Sequence, residues 1–158
     1  MGDNAGMTEQ TCATPSSMRP RIALYSHDTM GLGHIRRNTL IAQTLIQPPL
    51  SAQVLLVSGI RESGAFALPP GIDSITLPAY TARALDMPLE QLVALRSQTI
   101  LAALTAFAPQ LLIVDNVPRG ALSELDTVLP TMRARGTHIV LGLRDIIDTP
   151  EAVARQWE

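Results

Sequence analysis

Five side chains able to do chemistry fall within a few residues of one another: His27, Asp28, His34, Arg36 and Arg37, around the loop Gly31-Leu32-Gly33. Glycines here permit a tight turn and close approach of backbone to a ligand. Free N–H groups and the positive dipole end of a following helix suit phosphate or another anion. Arg36 and Arg37 would add full charges to that grip, although adjacent helix positions point in different directions and at least one of the two should face solvent. A second polar group follows an apolar run: Asp115, Asn116 and Arg119. A third is Arg144-Asp145. An imidazole at His34 beside the Asp115 carboxylate would be a base held in orientation by an acid. The same two residues would serve equally as helix caps. His27 and Asp28 are weak metal candidates because no third ligand has suitable spacing, and no metal is expected. His138 reads as structural, and Arg144-Asp145 reads either as part of the cleft or as a local ion pair.

The elements that must position these groups alternate between strand and helix. Apolar runs at 22–25, 54–57, 75–77, 111–114 and 137–143 predict five strands, the buried ones covered on both faces. Helices are predicted after the glycine loop, over 89–107 with Pro88 at its start, and over 121–135, bent near Pro130 and capped by Gly136. Arg96-Ser97-Gln98 is expected on a polar face of the second helix. Thr149-Pro150-Glu151 would open a last short helix. This alternation predicts an α/β fold, a Rossmann-like open parallel sheet of order 3-2-1-4-5 with helices on both faces. Strands 1 and 4 are then neighbours at the switch point, where ligands bind beyond the carboxyl ends. His34 and Asp115 should face each other there.

Bulk properties narrow the classes. The 158 residues are 46% hydrophobic with a net charge of -2, enough for one domain with a core. No basic block offers itself to nucleic acid. There is no lysine, which excludes a P-loop lysine and a lysine Schiff base. The single cysteine, Cys12, allows no intrachain disulfide and fits a cytoplasmic location. Residues 1–20 read as a disordered leader, without signal-peptide character. No membrane span is expected, and peripheral contact with a membrane surface stays open. As a dinucleotide fingerprint the loop fails at its third glycine, where Arg36 stands. It also lacks an acid at the end of strand 2, although Ser58 with Arg61 could imitate an NADP-type pocket.

Three runs together, 26–37, 112–120 and 140–148, resemble a predicted bacterial glycosyltransferase group related to the MurG-type, family-28-like enzymes, which use UDP-GlcNAc. The resemblance covers nearly all of 21–158. It implies the N-terminal, acceptor-side domain of a GT-B fold, working with a nucleotide sugar as co-substrate and no other cofactor. By resemblance, His34 matches a general base and Asp115 its orienting aspartate. In MurG-like relatives the same loop and its histidine lie against acceptor phosphates, so the resemblance offers His34 two roles, base or phosphate ligand, and Gly31, Leu32, Gly33 and Arg36 would bind an anion. Asn116, Arg119, Arg144 and Asp145 would line the same crevice. The donor-binding half of such an enzyme is not in these 158 residues. The expectation is therefore a domain inactive in sugar transfer by itself, partnered by a separate donor-binding domain or chain. The alternatives are a non-catalytic anion- or partner-binding domain and an NADP-type oxidoreductase fragment.

Overall fold

The structure is a computed structural model and describes residues 19–27, 32–60, 67–81, 85–143, 149 and 154. Five strands, β1 (Arg21–Ser26), β2 (Gln53–Ser58), β3 (Ile72–Thr76), β4 (Leu111–Asp115) and β5 (His138–Gly142), form one sheet of order β3-β2-β1-β4-β5. Every pairing is parallel, with Ile22 opposite both Val54 and Leu111. The expected strand order is the observed one. Buried apolar residues drive it, because β1 is fully buried from Ile22 to Ser26 and its side chains alternate between two cores.

Ile22 and Leu24 pack toward α1 (Gly33–Leu45), with Ile35, Ala42, Val54 and Leu56. Ala23 and Tyr25 pack on the other face, toward α2 (Leu89–Phe107) and α3 (Val128–Ala134), with Ile100, Leu104, Val128 and Met132. Helices therefore cover both faces of the sheet, as right-handed crossovers require. α2 has the expected bounds and ends where Ala108 turns left-handed (φ 47°) and donates its N–H to the Leu104 carbonyl at 2.9 Å.

Three expectations need correction. β3 begins at Ile72, not at 75, because Ile72 pairs with Val54 and buries its side chain. The predicted helix over 121–135 is a 3-10 turn at Ala121–Ser123 followed by α3, which starts only at Val128. Left-handed backbone at Leu122 (φ 49°) and Ser123 (φ 60°) breaks it there. Pro130 then falls in the first turn of α3, where its missing N–H costs no helical bond. Arg96 does not lie on a polar face; it is fully buried. Gly136 (φ 84°) does end α3, with Thr137 N–H reaching the Met132 carbonyl at 3.0 Å. His138 opens β5 at the edge of the sheet and is exposed. The expected helix at 149–151 lies outside the described residues.

Candidate functional site

α1 starts immediately after Leu32, which supplies no side-chain cap, and no acid sits in its first turn. Neither Leu32 nor the first turn of the helix thus supplies the usual side-chain acceptor for its N-terminal N–H groups. The first turn brings His34 over the carboxyl end of β4. His34 Nδ1–H donates to Asp115 Oδ2 at 2.8 Å, and the Arg37 guanidinium grips the other oxygen, Oδ1. Asp115 is 1% exposed and the His34 side chain 12%. The carboxylate is thus held from two sides by one helix, through residues on adjacent turns. Because Nδ1 carries the hydrogen to Asp115, Nε2 is the basic nitrogen of the ring. The His27 ring lies against His34 with centroids 4.8 Å apart and planes at 51°. Asn38, one turn along α1 from His34, is buried, and its Oδ1 has no hydrogen-bond partner among the described residues.

The backbone beside Asp115 is itself shaped. Asn116 has φ 63°, and Val117 N–H turns back to the Asp115 carbonyl at 2.8 Å. Asn116 N–H donates to Gly142 at 2.8 Å, which ties the end of β4 to β5. Left-handed backbone is tolerated by Asn better than by most residues.

The remaining sequence-predicted residues are distributed more widely. Leu32 is half-buried and packs on the α1-side core. Gly33 is exposed, and a Cβ there would meet nothing within 4 Å, so its value is open space before the helix rather than relief of a clash. Arg36 lies on the exposed outer side of α1 with Leu40; Arg37 is the arginine that reaches Asp115. Arg119 is engaged by Asp126, with Nε at 2.8 Å from Oδ1 and a second nitrogen at 2.5 Å from Oδ2. That hydrogen-bonded pair holds the Asp126 carboxyl below its usual range and the guanidinium above its own. Asp28, Gly31, Arg61, Arg144 and Asp145 lie outside the described residues. Ser58, offered for an NADP-type pocket, is fully buried and accepts the Ile60 N–H at 3.2 Å.

A second polar cluster sits under the same strand ends on the opposite face. Arg96 gives Nε–H to Glu124 Oε2 at 2.6 Å and a second N–H to Oε1 at 2.8 Å. Its third nitrogen donates to the Pro78 carbonyl at 2.5 Å. The Tyr80 hydroxyl donates to Glu124 Oε2 at 2.7 Å, and the Tyr25 hydroxyl donates to Oε1. The guanidinium carbon stands 4.1 Å from the Tyr80 ring centroid. Burial first, then the Glu124 carboxylate, pushes both phenols well above their ordinary value. Burial works against the Arg96 charge, but the hydrogen bonds and charge of Glu124 outweigh it. Spacing could have revealed Arg96, since Leu92, Arg96, Ile100 and Leu104 recur every four residues along one buried stripe. Nothing in the sequence singles out Glu124.

Two glycines are set by these clusters. A Cβ on Gly59 would stand 2.3 Å from the His27 carbonyl and 3.0 Å from the Arg96 guanidinium. One on Gly120 (φ 73°) would stand 2.7 Å from the Tyr25 hydroxyl.

Among the described residues no group of three or more His, Cys, Asp or Glu could hold a metal ion, and no helix is long and apolar enough to cross a membrane. No protein-family model matches the chain, and no curated protein is significantly similar to it in sequence.

Proposed function

We propose that this chain is the acceptor-side half of a GT-B glycosyltransferase with inverting, metal-independent chemistry. The observation that carries the reading is the 2.8 Å hydrogen bond from His34 Nδ1 to Asp115 Oδ2 at the junction of β1 and β4. A general base must present a lone pair, and this bond selects the tautomer with that lone pair on Nε2. Arg37 balances the Asp115 charge and fixes the carboxylate that orients the ring.

In the proposed step His34 Nε2 accepts the proton of the acceptor hydroxyl. The oxygen forms a bond to the anomeric carbon of a hexose or N-acetylhexosamine. The bond from that carbon to the donor's phosphate oxygen breaks, and the nucleoside diphosphate leaves with the electron pair. The leaving group and its donor-binding site belong to a second half, another domain or chain. The N-terminus of α1, which Gly33 opens and Gly31 and Leu32 precede in sequence, would lie against an anionic acceptor. Asn116 would supply an amide at the crevice edge. An NADP-type reading is disfavoured by Ser58, which is fully buried and accepts the Ile60 N–H of its own loop.

The test is ligand-induced stabilisation of the purified chain by pyrophosphate, sugar phosphates, UDP, UDP-GlcNAc and NADPH. At a hundredfold excess over Kd, a ligand of the folded state adds about 2.7 kcal/mol. Stabilisation by pyrophosphate or sugar phosphates but not UDP is expected. Stabilisation by NADPH would overturn the reading, and a flat response would favour a non-catalytic partner-binding domain. With a donor half supplied, His34→Ala must abolish turnover for the base assignment to stand.

A further inference from the structure

The connection between β4 and α3 holds four residues in left-handed backbone: Asn116 (φ 63°), Gly120 (φ 73°), Leu122 (φ 49°) and Ser123 (φ 60°). Three of them carry side chains, for which this region is unfavourable. Such backbone persists only where its surroundings over-determine it. Here the next residue, Glu124, supplies that constraint. Its two oxygens take Arg96 in a bidentate grip, and they also accept the hydroxyls of Tyr25 and Tyr80. Tyr25, while donating to Glu124, accepts the Ala121 N–H at 3.2 Å, so the strained turn is fastened directly to β1.

The same cluster fastens a second segment. Residues 77–81 leave β3, and Leu77 N–H donates to the Ser58 carbonyl at 2.8 Å. The segment then reaches the cluster through the Pro78 carbonyl and the Tyr80 side chain. β3 and β4 are separated by two strands in the sheet, yet the segments that follow them meet at one buried carboxylate.

We propose that Glu124 is a positioning residue that makes the strap 77–81 and the connection 116–123 a single mechanical unit, so that displacing Tyr80 is transmitted to the backbone beside Asp115. A fully buried ion pair with every Glu124 oxygen doubly engaged is suited to this, because a half-satisfied network in a low-dielectric interior is costly and the network therefore holds or releases as a whole. The proposal rests on packing and holds whatever reaction the His34 crevice performs.

Amide hydrogen exchange on the full chain tests it, with Tyr80→Phe as the principal variant. That substitution keeps the ring over Arg96 and removes only the half-buried hydroxyl bond to Glu124. Exchange is expected to quicken about tenfold in both 77–81 and 116–125, with the amides of β1, β2 and β4 unchanged. Quickening confined to 77–81 would overturn the proposal, as would a uniform rise across all amides. Glu124→Gln should give the same pattern with larger amplitude. Should that variant fail to fold, Tyr80→Phe decides the matter alone.

Discussion

Asp115 and Glu124 stand at the two ends of one connection, and each carboxylate is gripped by an arginine from a different face of the sheet. Arg37 on α1 takes Asp115, and Arg96 on α2 takes Glu124. The first pair borders the crevice with His34; the second is closed off from solvent. The two sites therefore share a backbone but differ in what a substitution should do.

At Asp115, replacement by Asn keeps the shape and removes the charge. The Asn amide can turn either its oxygen or its NH2 toward His34, so the charge that fixes the hydrogen on Nδ1 is gone, and Arg37 loses its ion pair with position 115. Imidazole nitrogen spectra should show His34 redistributed between tautomers, while stability falls by about 1–3 kcal/mol. With only three histidines in the chain, the signal is readily assigned. An unchanged His34 spectrum would mean that the carboxylate does not orient the ring.

The buried pair should follow the rule for ion pairs taken out of water. Arg96→Met alone strands the Glu124 charge and should cost about 3–5 kcal/mol. The double variant Arg96→Met with Glu124→Leu should cost less than the sum of the two single changes, measured by denaturant unfolding in a double-mutant cycle. Additive losses would show the two side chains to be energetically independent.

Two glycines offer a contrast within one experiment. Gly59→Ala places a methyl 2.3 Å from the His27 carbonyl, so backbone must move, and a loss of about 1–3 kcal/mol is expected. Gly33→Ala meets open space at the start of α1 and should be neutral or stabilising by up to about 1 kcal/mol. Thermal unfolding of both variants checks this directly.

Alkali should act through the phenols. Tyr25 and Tyr80 resist ionisation in the native state, first through burial and then through Glu124. Their native values are raised, so their contribution is intact below the ordinary phenol value of about 10 and is lost as pH rises above it. Tyr80→Phe removes one of the two groups, and roughly half of this pH slope should remain. An identical alkaline profile in wild type and variant would place the sensitivity elsewhere.

The sheet was legible because its strands are dense apolar runs separated by helical periods, and their order follows from handed crossovers. The pairing of His34 with Asp115 was legible for the same reason, since order alone makes β1 and β4 neighbours. What escaped depended on long-range satisfaction of polar groups. Arg96 read as solvent-facing by type, though its four-residue spacing with Leu92 and Ile100 places it inside. Glu124 became a core residue only because Tyr25, Tyr80 and Arg96 converge on it from three separate segments. The late start of α3 was equally hidden, because Leu122 and Ser123 carry no local signal for left-handed backbone. Arg36 and Arg37 could not be told apart without the helix phase that turns one outward and the other onto Asp115.

The opposed arginine grips have a bearing on the packing beneath both helical layers. Each helical layer holds one end of the same short stretch of chain, so the stretch works as a caliper between the layers. A volume change beneath α1, such as Ile35→Val, and one beneath α2, such as Leu104→Ala, would shift opposite jaws. Alignment of the two layers is thereby written into the geometry around Asp115, where substitutions in either interior become visible at the surface.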